Sequence, residues 1–164
     1  MVSEVKRDYP WKEKYDHVFH CYCSLWNSAL NFIAENYGHE ALDQYLHVCM
    51  GKDVLGRSAF PEMKEGIDTE AFLNQCLAHH RMIGSEFTIV KAEHDEIIID
   101  FVKCGSKGLV VEKFGTGSQH YCRHCEILSL WEQMGWSSEV DRSRAGKLEG
   151  QNIGCRRTFR RMKR

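Results

Sequence analysis

Seven consecutive residues, His120-Tyr121-Cys122-Arg123-His124-Cys125-Glu126, concentrate more reactive chemistry than any other stretch of the chain. All of them except Arg123 can bind a metal or transfer a proton. If the segment opens a helix, Cys122 and Cys125 lie three apart and Cys122 and Glu126 four apart, so they share one face; His120 and His124 are also four apart. A helix N-terminus favours thiolate over thiol, because its orphan amide protons and dipole stabilise negative charge. The candidate catalytic set is therefore Cys122, Cys125, His120, His124 and Glu126. A cysteine is the nucleophile, a histidine the general base, and Glu126 orients it or moves protons.

The same thiolates are metal donors. Cys122-x-x-Cys125 is half of a zinc or iron–sulfur site. Cys104, at the end of an expected hairpin, and Cys155, in an expected late strand, could complete a four-thiolate set of Cys104, Cys122, Cys125 and Cys155. Zinc is the expected cofactor, with an iron–sulfur cluster as the lesser alternative. Against this stands the plain reading that unoxidised cysteines are often small buried hydrophobes. That reading is preferred for Cys49 and Cys76, which fall on helical apolar stripes, and for Cys21 and Cys23, which two-residue spacing on a helix points away from each other. His17 and Cys21 are four apart and could share a face. His79 and His80 suit a helix C-terminus. His94-Asp95 reads as turn chemistry. His39 and His47 have no partner visible in the sequence.

The basic end supplies candidate anion binders. Arg156 and Arg157 could hold a substrate carboxylate through bidentate guanidinium contacts. Met162–Arg164 reads as a solvated tail. From Asp141 to Arg164 there are nine Lys/Arg and two acids, a local +7, which leaves −8 on the first 140 residues. That asymmetry suggests either an anion-facing strand or an internal electrostatic dock. RNA binding lacks the interleaved aromatic surface it needs, so nucleic acid is not expected as a partner. Gly115-Thr116-Gly117-Ser118 lacks the lysine of a phosphate loop, and there is no dinucleotide fingerprint or nucleophile elbow.

The elements that must position these residues read as follows. Val18, Tyr22, Leu25, Trp26, Ala29 and Ile33 form an apolar stripe on a first helix, stopped at Gly38. A second helix carries Ala41, Leu42, Tyr45, Leu46 and Cys49. A third starts at Asp68 or Thr69 and runs past Phe72, Leu73, Leu77 and His80 to Ile83, with Gly84 as its stop. Phe87–Val90 and Ile97–Val102 are rich in β-branched and aromatic residues and make a hairpin. Leu109–Val111 adds a third strand. A helix spans His120 to Met134, with Leu128, Trp131 and Met134 facing inward and Gly135 ending it. Ile153–Arg161 is a last strand, with Ile153, Cys155 and Phe159 on one face and Arg156, Thr158 and Arg160 on the other. The fold class is α+β: a helical N-terminal half packed on a small antiparallel sheet, with a Cys-bearing helix and a late strand.

The 164 residues suit one domain, mainly helical over 1–84 and hairpin, helix and strand over 85–164. No stretch reads as a signal peptide or a membrane span. Eight cysteines without a secretion signal are expected to be thiols or metal ligands in a cytoplasmic protein.

A hairpin carrying Ile98–Cys104, a helix start at Tyr121–Glu126 and a Cys-Arg strand at Gly154–Phe159 follow a helical half. Over Glu86–Arg161 the chain resembles the small bacterial proteins grouped with aminothiazoline-carboxylate hydrolase. It is more distantly similar to vinyl-reductase-type sensor domains, which bind small molecules and hold zinc through cysteines. The first resemblance implies hydrolysis of a C–N or C–S bond in a small organic substrate. The expected function is thus a cysteine/histidine-dependent hydrolase acting on a small anionic compound. The alternative is a non-catalytic small-molecule- or metal-binding module. Neither reading involves a membrane, and both leave room for a homo-oligomer.

Overall fold

The computed structural model describes residues 10–48, 68–114, 120, 131–132, 134–143, 147–148 and 151–163. Its helices are α1 (Trp11–His47), α2 (Thr69–Met82) and α3 (Gly105–Phe114). Its strands are β1 (Glu86–Ala92), β2 (Glu96–Lys103), β3 (Trp136–Asp141), β4 (Lys147–Leu148), β5 (Gln151–Asn152) and β6 (Cys155–Arg161). The architecture is α+β, as the residue pattern predicts.

The expected stop at Gly38 is a break inside α1. Its φ of 84° and ψ of 174° lie outside the helical region and suit a residue without a Cβ. The chain folds back there, so that the rings of Trp26 and Tyr45 come to 6.0 Å. Cys23, Trp26 and Leu30 of the first arm pack with Leu42 and Leu46 of the second and with Val110 of α3. The predicted stripe is only partly correct. Trp26 is buried, but Val18, Tyr22 and Leu25 are exposed. The first arm is apolar on two sides, and spacing alone does not say which side the core takes.

Helix α2 begins and ends on the expected residues. The Asp68 carboxylate accepts from the Ala71 amide at 2.8 Å, capping the first turn. At the other end, the Ser85 amide donates to the His80 carbonyl and the Gly84 amide to that of Arg81. That pair of bonds satisfies the last carbonyls of the helix.

A four-stranded antiparallel sheet runs in the order β1-β2-β6-β3, and β4 and β5 form a separate two-stranded ladder. Ile97, Ile99 and Phe101 of β2 and Phe159 of β6 form one face. They pack with Phe72, Cys76 and Leu77 of α2 and with Trp131, Met134 and Trp136. Each such side chain contributes about 1.5–3 kcal/mol of transfer free energy. Cys76 is thus a core residue, as its position on the α2 stripe predicts.

Besides the short β4–β5 ladder, which the sequence reading lacks, two elements differ from it. Leu109–Val111 is not a strand but part of α3. The run is too short for periodicity to separate strand from helix. The helix is set by its start, where the Gly108 amide donates to the Cys104 carbonyl at 2.7 Å. Trp136–Asp141 is an edge strand that its polar composition, Trp-Ser-Ser-Glu-Val-Asp, concealed. Gly135 does precede it with a φ of 85°, and its amide donates to the Glu132 carbonyl, ending the preceding helical turn as expected. Among the described residues, no helix is long and apolar enough to cross a membrane.

Candidate functional site

Of the segment that opened the case for chemistry, His120 is described; Cys122, His124, Cys125 and Glu126 lie outside the described residues. His120 is half-buried in a turn, and its ring lies 5.0 Å from that of His39, tilted by 55°. His39 follows the break at Gly38, so the fold-back of α1 is what presents it. Burial holds the His120 pKa below its ordinary value of 6.5; the neighbouring His39 pushes the same way, and Glu35 opposes both. The imidazole is therefore neutral at neutral pH, the form that can accept a proton or ligate a metal. Nothing in the sequence links His39 with His120, which stand 81 positions apart.

Cys104 and Cys155 sit at one end of the sheet, where β2 finishes and β6 begins. Antiparallel pairing sets Cys155 opposite Phe101, and the Cys104 amide donates to the Ile153 carbonyl at 2.6 Å. Two glycines make this approach possible. A Cβ on Gly154 would collide with the Phe101 carbonyl, and one on Gly105 with the Ile83 carbonyl. Both cysteines are half-buried, with the Cys104 sulfur 3.5 Å from the Ser106 hydroxyl. Cys104 immediately precedes α3, and its carbonyl accepts the first helical bond, from the Gly108 amide. The Ser85 hydroxyl accepts from the Gly105 amide at 2.9 Å and lies 3.5 Å from Nδ1 of His80. His80 in turn packs on Phe101, ring centres 4.4 Å apart. It is in the last turn of α2, as expected, yet it also faces the sheet. Ser85 was not among the predicted residues, and only the fold brings it to Gly105.

Among the described residues, no group of three or more His, Cys, Asp or Glu side chains converges as a metal shell. Cys104 and Cys155 are nevertheless two donors of the type zinc prefers, at the same sheet end. Cys21 and Cys23 separate as helical geometry requires: Cys23 is buried, whereas Cys21 is exposed with its sulfur 3.8 Å from Nε2 of His17. The core reading fails for Cys21.

Arg156 and Arg157 point to opposite faces of β6, so they cannot grip one small anion together. Arg156 donates from Nε and from a terminal nitrogen to the two Asp100 oxygens, each at 2.6 Å. Its guanidinium holds its proton above the ordinary arginine range because of that pair. Four positions along, on the same face, Arg160 is bonded to Glu139 at 2.9 Å and Glu96 at 3.1 Å. Each of these β6 arginines thus lies between an acid of β2 and one of β3, Arg156 having Asp141 on its other side. For this strand the charge asymmetry of the sequence is an internal electrostatic dock. Arg157 is 2% exposed, with its guanidinium 4.9 Å from the Phe159 ring centre and 5.5 Å from that of Trp131. It donates to the Ser138 hydroxyl at 3.0 Å.

At the opposite end of the sheet, the hairpin turn and the end of β6 border a surface cleft of about 480 Å³. Two of its cations are held by acids: Lys91 bonds Glu96 at 2.7 Å and Glu93 at 3.0 Å, and Arg160 bonds Glu96. Lys91 keeps its proton well above the ordinary lysine range, chiefly through the hydrogen bond to Glu96. His94 acts here through its carbonyl, which accepts from Thr69 and from Arg161, in keeping with a structural turn. A comparison of the chain with models of known protein families and with curated proteins finds no match.

Proposed function

We propose that the chain is a cysteine/histidine-dependent enzyme that hydrolyses a C–N or C–S bond in a small anionic organic substrate. One observation carries the reading. His120 is held against His39 in its neutral form, two positions before Cys122. A neutral imidazole can take the proton of a thiol, which is how a cysteine nucleophile is activated. In this scheme Cys122 or Cys125 attacks the electrophilic carbon as thiolate, and His120 or His124 returns the proton to the departing nitrogen or sulfur. Water then releases the acyl or amidino group from the cysteine, while Glu126 orients the imidazole. With Arg156 engaged by Asp100 and Arg157 buried, a substrate carboxylate is better served by backbone amides at a helix start.

The test combines turnover with thiol chemistry. Aminothiazoline carboxylate, the substrate class that the resemblance suggests, is offered to the full chain and its loss followed by mass spectrometry. Separately, the rate of iodoacetamide labelling at Cys122 and Cys125 is measured against pH. The reading expects a labelling midpoint below the ordinary thiol value of about 8.5 that rises in His120→Gln. It fails if both cysteines label as ordinary thiols and His120→Gln changes nothing.

A second reading, a zinc-binding module, is favoured by the placement of Cys104 and Cys155 at one sheet end. Bound zinc would be held by these two with Cys122 and Cys125 and would cross-link the sheet to the following segment. It expects stoichiometric zinc in protein purified without added metal, and loss of that zinc in both Cys104→Ser and Cys155→Ser. Absence of zinc from the unaltered protein removes it.

A further inference from the structure

The first arm of α1 carries an apolar line that its own core leaves unused. Trp11, Val18, Leu25 and Phe32 recur every seven residues and are 81%, 66%, 72% and 57% exposed. Tyr15, Tyr22, Ala29 and Asn36 interleave with them, giving steps of alternately four and three residues over residues 11–37. The core takes a different side of the helix, through Cys23, Trp26 and Leu30. A seven-residue apolar repeat on a helix about 40 Å long is the seam of a two-stranded coiled coil.

We propose that this seam pairs with the same seam of a second copy, antiparallel, to form a two-fold dimer. The inference is independent of the proposed chemistry. Area supports it: at about 150–250 Å² for a large side chain, these exposures give roughly 400–700 Å² per copy from the four residues alone, before the interleaved positions are added. A standard stable interface takes about 800 Å² from each partner. Charge sets the direction. When Leu25 of one copy lies against Tyr22 of the other, Tyr15 meets Phe32, Val18 meets Ala29, and Trp11 meets Asn36 at the two ends. Lys14 and Glu35 flank the seam on the same side, so this alignment sets Lys14 of each copy beside Glu35 of the other, twice by symmetry. A parallel pairing would instead stack Asn36 on Asn36 and place Lys14 beside Phe19, with no opposite charge.

Sedimentation equilibrium on the full chain tests the pairing. The expected result is a dimer at micromolar concentration that becomes a monomer in Leu25→Glu, with unchanged circular dichroism and at least tenfold weaker association. Val18→Glu serves as a second variant should Leu25→Glu misfold. Direction is read by oxidation of a Ser28→Cys variant. Antiparallel alignment brings that position opposite Cys21 of the second copy, and a covalent dimer is expected that is lost when Cys21→Ser is added. A monomeric unaltered chain, a dimer that survives both glutamate substitutions, or the absence of the Cys21-dependent cross-link each overturns the proposal.

Discussion

On the open face of β6, Arg156 is clamped by Asp100 through two bonds of 2.6 Å and stays in reach of water. On the packed face, one residue later, Arg157 has lost nearly all its water and rests on Phe159 and Trp131, with the Ser138 hydroxyl as a polar contact. The two residues have the same side chain and the same strand; only parity differs. On the open face the guanidinium is a screened charge whose partners are interchangeable acids. On the packed face it is a flat surface that fills a cavity between rings, and its charge must be met locally. The contrast shows that a basic cluster in a sequence is not one feature. Alternation along the strand divides it into a surface ladder and a core component.

The comparison can be broken most directly from the packed side. Phe159→Ala should remove about 3–5 kcal/mol from the unfolding free energy in urea, because the site between Phe72 and Trp131 cannot close over the void. Arg157→Ala should cost roughly 2–4 kcal/mol, through lost packing and an orphaned Ser138 hydroxyl. Arg157→Lys should recover less than half of that, since an ammonium has no flat face to lay on the rings. If Arg157→Ala proves neutral, the packed-face role is wrong.

On the open face Arg156→Ala should lower stability clearly less than Arg157→Ala. Its effect should shrink as salt is raised, which urea titrations at two ionic strengths would read. An equal loss in both variants would erase the distinction between faces.

The smallest effects are pH-dependent. Hydrogen bonding to Lys91 holds the Glu96 carboxyl below its ordinary value of 4.5, so its stabilisation is complete above that value and is lost as pH falls through the folded pKa. Acid unfolding should therefore be less steep in Glu96→Gln. Burial depresses the His120 pKa too, and a depressed folded value means that the unfolded chain binds protons more readily. Stability should fall as pH drops below 6.5, and His120→Gln should flatten that part of the profile.

Much of the frame was legible because punctuation residues act locally. Asp68 caps its helix through its own side chain, and Gly38 and Gly84 mark breaks by conformations that other residues avoid. The hairpin was legible from β-branched composition. Leu109–Val111 was misread because three apolar residues fit both periods, and the helix is decided by a bond to Cys104 outside the run. The burial of Arg157 was illegible because charge suggests solvent, whereas the strand pairing of Ile99 and Val140 on either side fixes it inward. At the candidate site, Cys104 and Cys155 stand out by residue type, and strand pairing sets them at one end of the sheet. The meeting of His39 with His120 depends on a chain reversal that no local spacing encodes.

The strand order has a kinetic side. β6 is the last strand in the chain, yet it lies between β2 and β3, so it forms two ladders when it arrives. Before that, β1 and β2 are an isolated hairpin, which is marginal alone in water, and β3 has no strand to bond. The closing contact between Asp100 and Arg156 spans 56 residues, whereas the α1 arms meet through Trp26 and Tyr45 across a short local turn. Chain closure over such a span is slow, and its entropy must be overcome before any ladder bond forms. The β3–β6 ladder, in which Asp141 meets Arg156, closes over a much shorter span than the β2–β6 ladder, so β6 is expected to pair first with β3 and then to carry that strand onto the β1–β2 hairpin.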